Sequence, residues 1–124
     1  MTEWKLTSYG LAVAIMLVAA PDSGRAGGAE DNYRLYCVQC HGTIGNGWGI
    51  NNTAGGLAVS PRNHTDAGEM SKLSDEELRL AIAEGGDAVS KSELMPPWQG
   101  VLTENQITEM VVYLRKLCRC SGPG

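Results

Sequence analysis

Apolar positions recur at helical spacing in three places along the chain. The clearest is "LTENQITEMVVYLRKL", where Ile107, Met110, Val111, Leu114 and Leu117 follow the i, i+3, i+4, i+7 rule. Thr103 precedes this run and Gln106 follows three residues later, which together predict a capping box. "LSDEELRLAIAEGG" repeats the design. Ser74 and Glu77 cap it, Leu78, Ala81 and Ile82 make its apolar face, and Gly85-Gly86 ends it. "AEDNYRLYCVQC" predicts a shorter helix, with Glu30 or Asp31 in its first turn and Tyr33, Tyr36 and Cys40 at helical spacing.

What lies between these runs has no period. "GTIGNGWGINNTAGG" holds too many glycines for a regular element, "VSPRNHTDAG" continues it, and "DAVSKSELMPPWQGV" is broken by Pro96-Pro97. The pattern predicts an all-α fold of three to four short helices joined by long loops. Loops of that length argue against an ordinary apolar core in so small a domain, and make sense if they wrap something.

A fourth apolar stretch is of another kind. In "MTEWKLTSYGLAVAIMLVAAPDSGRA", Lys5 precedes an apolar run from Leu11 to Ala20, and small residues end it. This reads as a secretory signal cleaved after Ala26, leaving residues 27–124 as the domain. The run falls short of the roughly 20 residues of a comfortable membrane span. The alternative is an uncleaved N-terminal anchor. Export places the protein outside the cytoplasmic membrane, in a periplasmic and oxidising compartment.

Composition sharpens this picture. The chain has 124 residues, 43% of them hydrophobic, with 16 Gly and no Phe. Such a chain has a thin core of its own and calls for a staple or a bound group. Its net charge of −4 gives a nucleic-acid role no electrostatic support.

The chemistry sits in "YCVQCHG", residues 36 to 42. C-x-x-C-H reads as a c-type haem attachment site. Cys37 and Cys40, three apart on a helical turn, point the same way and can meet the two vinyl groups of one porphyrin. His41 then brings its imidazole under the iron as the proximal ligand. Two rivals use the same residues differently. A thioredoxin-like CxxC expects a preceding strand in a βαβ context, which is missing. A zinc site could add Cys118 and Cys120 to the first pair, but would leave His41, the export signal and the wrapping loops unexplained.

The far side of the iron needs a ligand or stays open. Met110 belongs to the apolar face of the last helix, Met70 precedes a helix start, and His64 in "PRNHT" reads as a surface histidine. Met95 in "LMPPW" is the choice for distal ligand. It lies in an irregular segment from which a side chain can reach inward, and the two prolines hold that backbone at low entropic cost.

In this order "CVQCHG", the glycine-rich loop, "LSDEEL", "MPPW" and "VVYLRKL" resemble the class I c-type cytochromes, small mono-haem electron carriers. The resemblance covers roughly residues 29 to 117. It implies N- and C-terminal helices that cross near a right angle, with Tyr33 and Tyr113 at the crossing and the haem held edge-out among the loops. It also implies that the Pro61 carbonyl accepts the ring N–H of His41, fixing its tautomer. Trp98 and Trp48 are candidates to stack on the haem or bond a propionate, and Arg62 to neutralise one. The tail "CRC" departs from the family pattern. Cys118 and Cys120 are open to a strained mutual disulfide, to pairing with another chain, or to remaining plain thiols.

The function this implies is one-electron transfer by one haem c, covalent through Cys37 and Cys40, with His41 and Met95 as axial ligands. The protein would not be an enzyme. Its partners would be redox proteins, a membrane oxidoreductase complex or a periplasmic reductase or oxidase. The acidic balance favours docking on a basic or mainly apolar patch. The alternatives are a fixed haem-bearing subunit of a larger oxidase or reductase, and a haem enzyme or gas-binding cytochrome with an open sixth position.

Overall fold

A computed structural model describes Met1 and residues 27–123. The proposed signal segment otherwise lies outside the described residues. Among the described residues six α-helical segments follow one another: α1 (Ala29–Tyr36), α2 (Val38–His41), α3 (Ile50–Thr53), α4 (Ala67–Met70), α5 (Asp75–Glu84) and α6 (Glu104–Cys118). A short 3₁₀ turn, Asp87–Val89, follows α5. No strand occurs among the described residues, and no helix there is long and apolar enough to cross a membrane.

The three longer helices stand where the apolar periodicity puts them. Both capping boxes are complete: Ser74 and Glu77 close the start of α5, Thr103 and Gln106 the start of α6. Glu30 and Asp31 occupy the first turn of α1. The expected continuous helix through the cysteines is interrupted at Cys37 (φ −110°, ψ −30°), so α2 is a separate turn that carries Cys40 and His41. Two further turns were not legible in the loops. α3 forms inside the glycine-rich stretch, and α4 forms behind Asp66, whose side chain accepts from the Glu69 amide. Isolated helical turns of this length hold only through packing and caps, which is why no periodicity announces them.

α6 is the central element, packed against α1, α4 and α5. Tyr33 and Tyr113 meet where α1 contacts α6, with ring centroids 5.3 Å apart. The core comprises Tyr33, Met70, Leu78, Ile82, Ala83, Leu102, Ile107, Met110, Val111, Leu114 and Cys118. Of the face expected on α5, Leu78 and Ile82 are buried; Ala83 is buried too, whereas Ala81 is half-exposed.

Arg115 ties α6 to the α4–α5 junction. Its side chain is only 13% exposed. Nη1 donates to the Met70 carbonyl (2.8 Å), Nη2 to the Leu73 carbonyl (2.6 Å) and Nε to Asp75 (2.8 Å). Asp75 is exposed, so the ion pair itself contributes little. The two carbonyls are another matter, because they lose their donor if the guanidinium is removed. Arg115→Ala is expected to destabilise the folded protein by about 2–4 kcal/mol. Arg115→Lys should recover little of this, since one ammonium does not reproduce the fork. Guanidinium unfolding of the purified protein measures both; a midpoint unchanged in Arg115→Ala would contradict the clamp.

The tail resolves one open point. Cys118, the last residue of α6, and Cys120 are disulfide-bonded to each other across the end of the helix, and Arg119 between them takes a left-handed conformation (φ 51°). Neither cysteine is available to the "YCVQCHG" pair. With both tail cysteines taken up by that disulfide, the four-cysteine zinc reading falls.

Candidate haem site

The loops enclose a cavity of about 690 Å³ at the heart of the chain. Pockets that hold cofactors commonly span about 300–1,000 Å³. One wall is the apolar core: Leu78, Ile82, Leu102, Met110 and Leu114. Cys37, Cys40 and His41 line it from α1–α2, Arg62 and His64 from the long loop, and Met95 and Trp98 from the segment after α5.

Cys37 and Cys40 are free thiols, both half-buried. Burial, reinforced by the neighbouring Cys40, pushes the Cys37 thiol up to about 12. It is therefore a protonated thiol, not a thiolate, across the neutral range. The Asn51 amide reaches Cys40 Sγ at 3.5 Å. The following backbone is pressed close. Gly49 donates to the Cys40 carbonyl at 3.0 Å, and any side chain at Gly49 would meet that oxygen at 2.6 Å. Glycine at this position lets the loop fold back over the cysteine turn.

His41 is buried, and Nδ1 donates to a carbonyl at 2.9 Å. That carbonyl belongs to Arg62, one residue beyond the expected Pro61. Pro61 lines the cavity, but its oxygen faces Gly47, where a Cβ would come within 2.7 Å of it. The Pro61–Arg62 step is turned so that the second carbonyl reaches the imidazole. The consequence for His41 is unchanged. With the proton held on Nδ1, Nε2 keeps its lone pair and makes no hydrogen bond among the described residues. Burial also depresses the His41 pKa, partly offset by the bond to Arg62, which favours the neutral imidazole that a metal requires.

Met95 is half-buried and lines the same cavity. Its backbone is pinned to the end of α5: its carbonyl accepts from Gly86 at 2.9 Å, and its amide donates to Ser92 at 3.2 Å. Gly85, at φ +87°, lies so close that a Cβ there would stand 2.8 Å from the Met95 oxygen. Trp98 also lines the cavity; its ring leans on Tyr36 with centroids 5.1 Å apart, and its amide donates to Ile82. Arg62 is half-buried on the lining.

Two residues sit elsewhere than the sequence led us to expect. Trp48 is 69% exposed and takes no part in the cavity wall. The flanking Gly47 and Gly49 bring backbone, not side chain, against Pro61 and Cys40, and this turns the indole outward. His64, read as a surface residue, is 8% exposed. Its ring stacks on His41, and it shares a hydrogen bond with the Tyr33 hydroxyl at 2.9 Å. Burial and the neighbouring His41 hold its pKa well below the usual histidine range. No periodic signal marks a loop histidine as buried, so nothing in the sequence pointed to it.

The donor set fits a covalent haem. Two free thiols, an imidazole with an open Nε2 and a thioether share one largely apolar cavity, and Tyr33, Leu78, Ile82, Leu102, Met110 and Leu114 of the core also line it. This helical fold, with its loops closed around a C-x-x-C-H turn, defines a class I c-type cytochrome carrying covalently bound haem c. The chain belongs to the cytochrome c oxidase, cbb3-type, subunit III family, whose model matches residues 24–114. Among solved structures it is similar to the KustC0563 c-type cytochrome, at 27% identity and a TM-score of 0.58, covering 73% of this chain and 98% of that one. It is also similar to a chain of the Kuenenia stuttgartiensis reducing HAO-like protein complex Kustc0457/Kustc0458. There the identity is 26% and the TM-score 0.56, over 72% of this chain but only 40% of that one. No curated protein sequence matched the chain. The class makes this protein a haem electron carrier.

Proposed function

We propose that the protein is an exported one-electron shuttle whose haem is ligated axially by His41 and Met95. The observation that carries this reading is the shared cavity: Met95 lines the space that Cys37, Cys40 and His41 also line. When bound, the haem supplies a single iron centre that accepts and releases one electron. The chain's own residues do the rest. Cys37 and Cys40 tether, Arg62 holds the His41 tautomer, and the apolar wall keeps water out. Ligation by both His41 and Met95 would limit reorganisation and would leave no position for a substrate.

Docking is proposed to involve little charge on the loop side. Residues 42–61 contain no charged side chain, and Ile44, Trp48, Ile50 and Val59 stand exposed there. This suits the mainly apolar partner patch better than the basic one. Trp98 and Arg62, both on the cavity lining, are proposed to serve the propionates.

Carbon monoxide tests the shuttle against a haem enzyme or gas-binding protein. The reduced holoprotein is expected to leave its spectrum unchanged under carbon monoxide at neutral pH, while exchanging electrons rapidly with a small one-electron donor. Ready carbon monoxide binding would mean an open or easily displaced sixth position, and the shuttle reading would fail. The family description and the likeness to a domain within a larger redox complex favour a second reading, a haem subunit fixed in such an assembly. Membrane fractionation separates the two: a shuttle is released by salt, whereas a fixed or anchored subunit stays with the membrane.

A further inference from the structure

The segment 62–64 grips His41 twice. The Arg62 carbonyl holds the edge of the imidazole at 2.9 Å. The His64 ring covers its face, with centroids 4.1 Å apart and planes only 19° from parallel. A single hydrogen bond at Nδ1 fixes one atom and leaves the ring free to turn about the N–H···O line. A flat neighbour at stacking distance removes that freedom, because turning the imidazole would drive its edge into the other ring.

His64 is itself held firmly. Its amide donates to the Gly45 carbonyl, and its Nδ1 bonds the Tyr33 hydroxyl at 2.9 Å, at 1% exposure of Tyr33. Gly45 is pressed against the same spot; a side chain there would meet the Tyr33 hydroxyl at 3.1 Å and His64 Cβ at 3.4 Å. Filling this space needs no polar group. A buried polar pair gains little stability over two apolar side chains of the same volume, and what it adds is a fixed geometry.

We infer that His64, locked in place by Tyr33, is a positioning residue that sets the rotational orientation of the His41 imidazole plane. It acts through His41 and touches no electron partner. The inference rests on the reading of His41 as an axial ligand. Given that ligation, the plane of the imidazole, together with the orientation of the thioether on the other side, would set how unpaired spin spreads over the porphyrin, so turning the imidazole alone changes the pattern of ring-methyl resonances in the oxidised protein.

The test uses purified holoprotein of the wild type and of H64L, H64F and Y33F, each first assayed for covalent haem and then examined by proton NMR in the oxidised state. H64L removes the flat face and is expected to change the order or spread of the ring-methyl signals. H64F keeps a flat ring and is expected to restore the wild-type pattern. Y33F frees His64 and is expected to move the pattern in the same direction as H64L, by less. A wild-type methyl pattern in both H64L and Y33F, at full covalent haem, would overturn the inference. Should H64L fail to accumulate, Y33F alone decides: a shifted pattern supports the positioning role and an unmoved one removes it. Absence of covalent haem from the wild type would instead sink the haem-carrier reading beneath it.

Discussion

Met95→Ala is expected to lower the reduction potential and to abolish the weak long-wavelength sulfur-to-iron charge-transfer band of the oxidised protein. A thioether favours ferrous iron, so its loss shifts the balance toward ferric. Each tenfold change in relative preference for the two oxidation states moves a one-electron potential by about 59 mV, so a hundredfold change lowers it by about 120 mV. The Met95 backbone is held firmly at the cavity. The Met95 carbonyl is tied to Gly86, and the close pass at Gly85 leaves no room for a side chain. The other donors are worse placed. Met70 is wholly buried in the core, and His64 lies against the face of His41, on the same side of the site. Met110 lines the cavity but is fixed on the buried face of α6, so Met110→Ala is the control and should keep the band. A band that survives in Met95→Ala and vanishes in Met110→Ala would transfer the role.

Replacing both Cys37 and Cys40 by Ser should have the larger structural effect, because the core is built around what they tether. Leu78, Ile82, Leu102, Met110 and Leu114 face the cavity of about 690 Å³. Without the tethered haem these apolar side chains lose their packing partner and meet water, a loss shared by five core residues in a domain held together by only about 5–15 kcal/mol. The double variant is therefore expected to lose covalent haem, to lose most of its helical circular dichroism and to show no cooperative thermal transition. Each single variant should keep one thioether and a folded core. A double variant that unfolds cooperatively without haem would show that the core stands alone and that the loops wrap nothing essential.

The legible parts of this chain are those written in local chemistry. The capping boxes at Ser74 and Thr103 and the apolar stripe from Ile107 to Leu114 specify α5 and α6 through contacts a few residues apart. "CVQCHG" needs only the geometry of one turn to imply its cofactor. What was not legible depends on how distant segments meet. The register of the long loop decides that Arg62, not Pro61, reaches His41, and a one-residue slip there is invisible in the sequence. The same register buries His64 against Tyr33, 31 positions away. Trp48 faces outward because its neighbouring glycines press backbone against Cys40 and Pro61, a packing relation that composition does not encode. The short helices α3 and α4 have no stable face of their own, so only the folded context creates them.

The central claim is that Cys37 and Cys40 carry one haem covalently. Denaturing the purified protein in alkaline pyridine and recording the reduced spectrum tests it most directly. A c-type haemochrome at one haem per chain is expected, with the haem remaining on the polypeptide through acidic organic extraction. A chain without haem, or a haem that leaves in the extract, would contradict it.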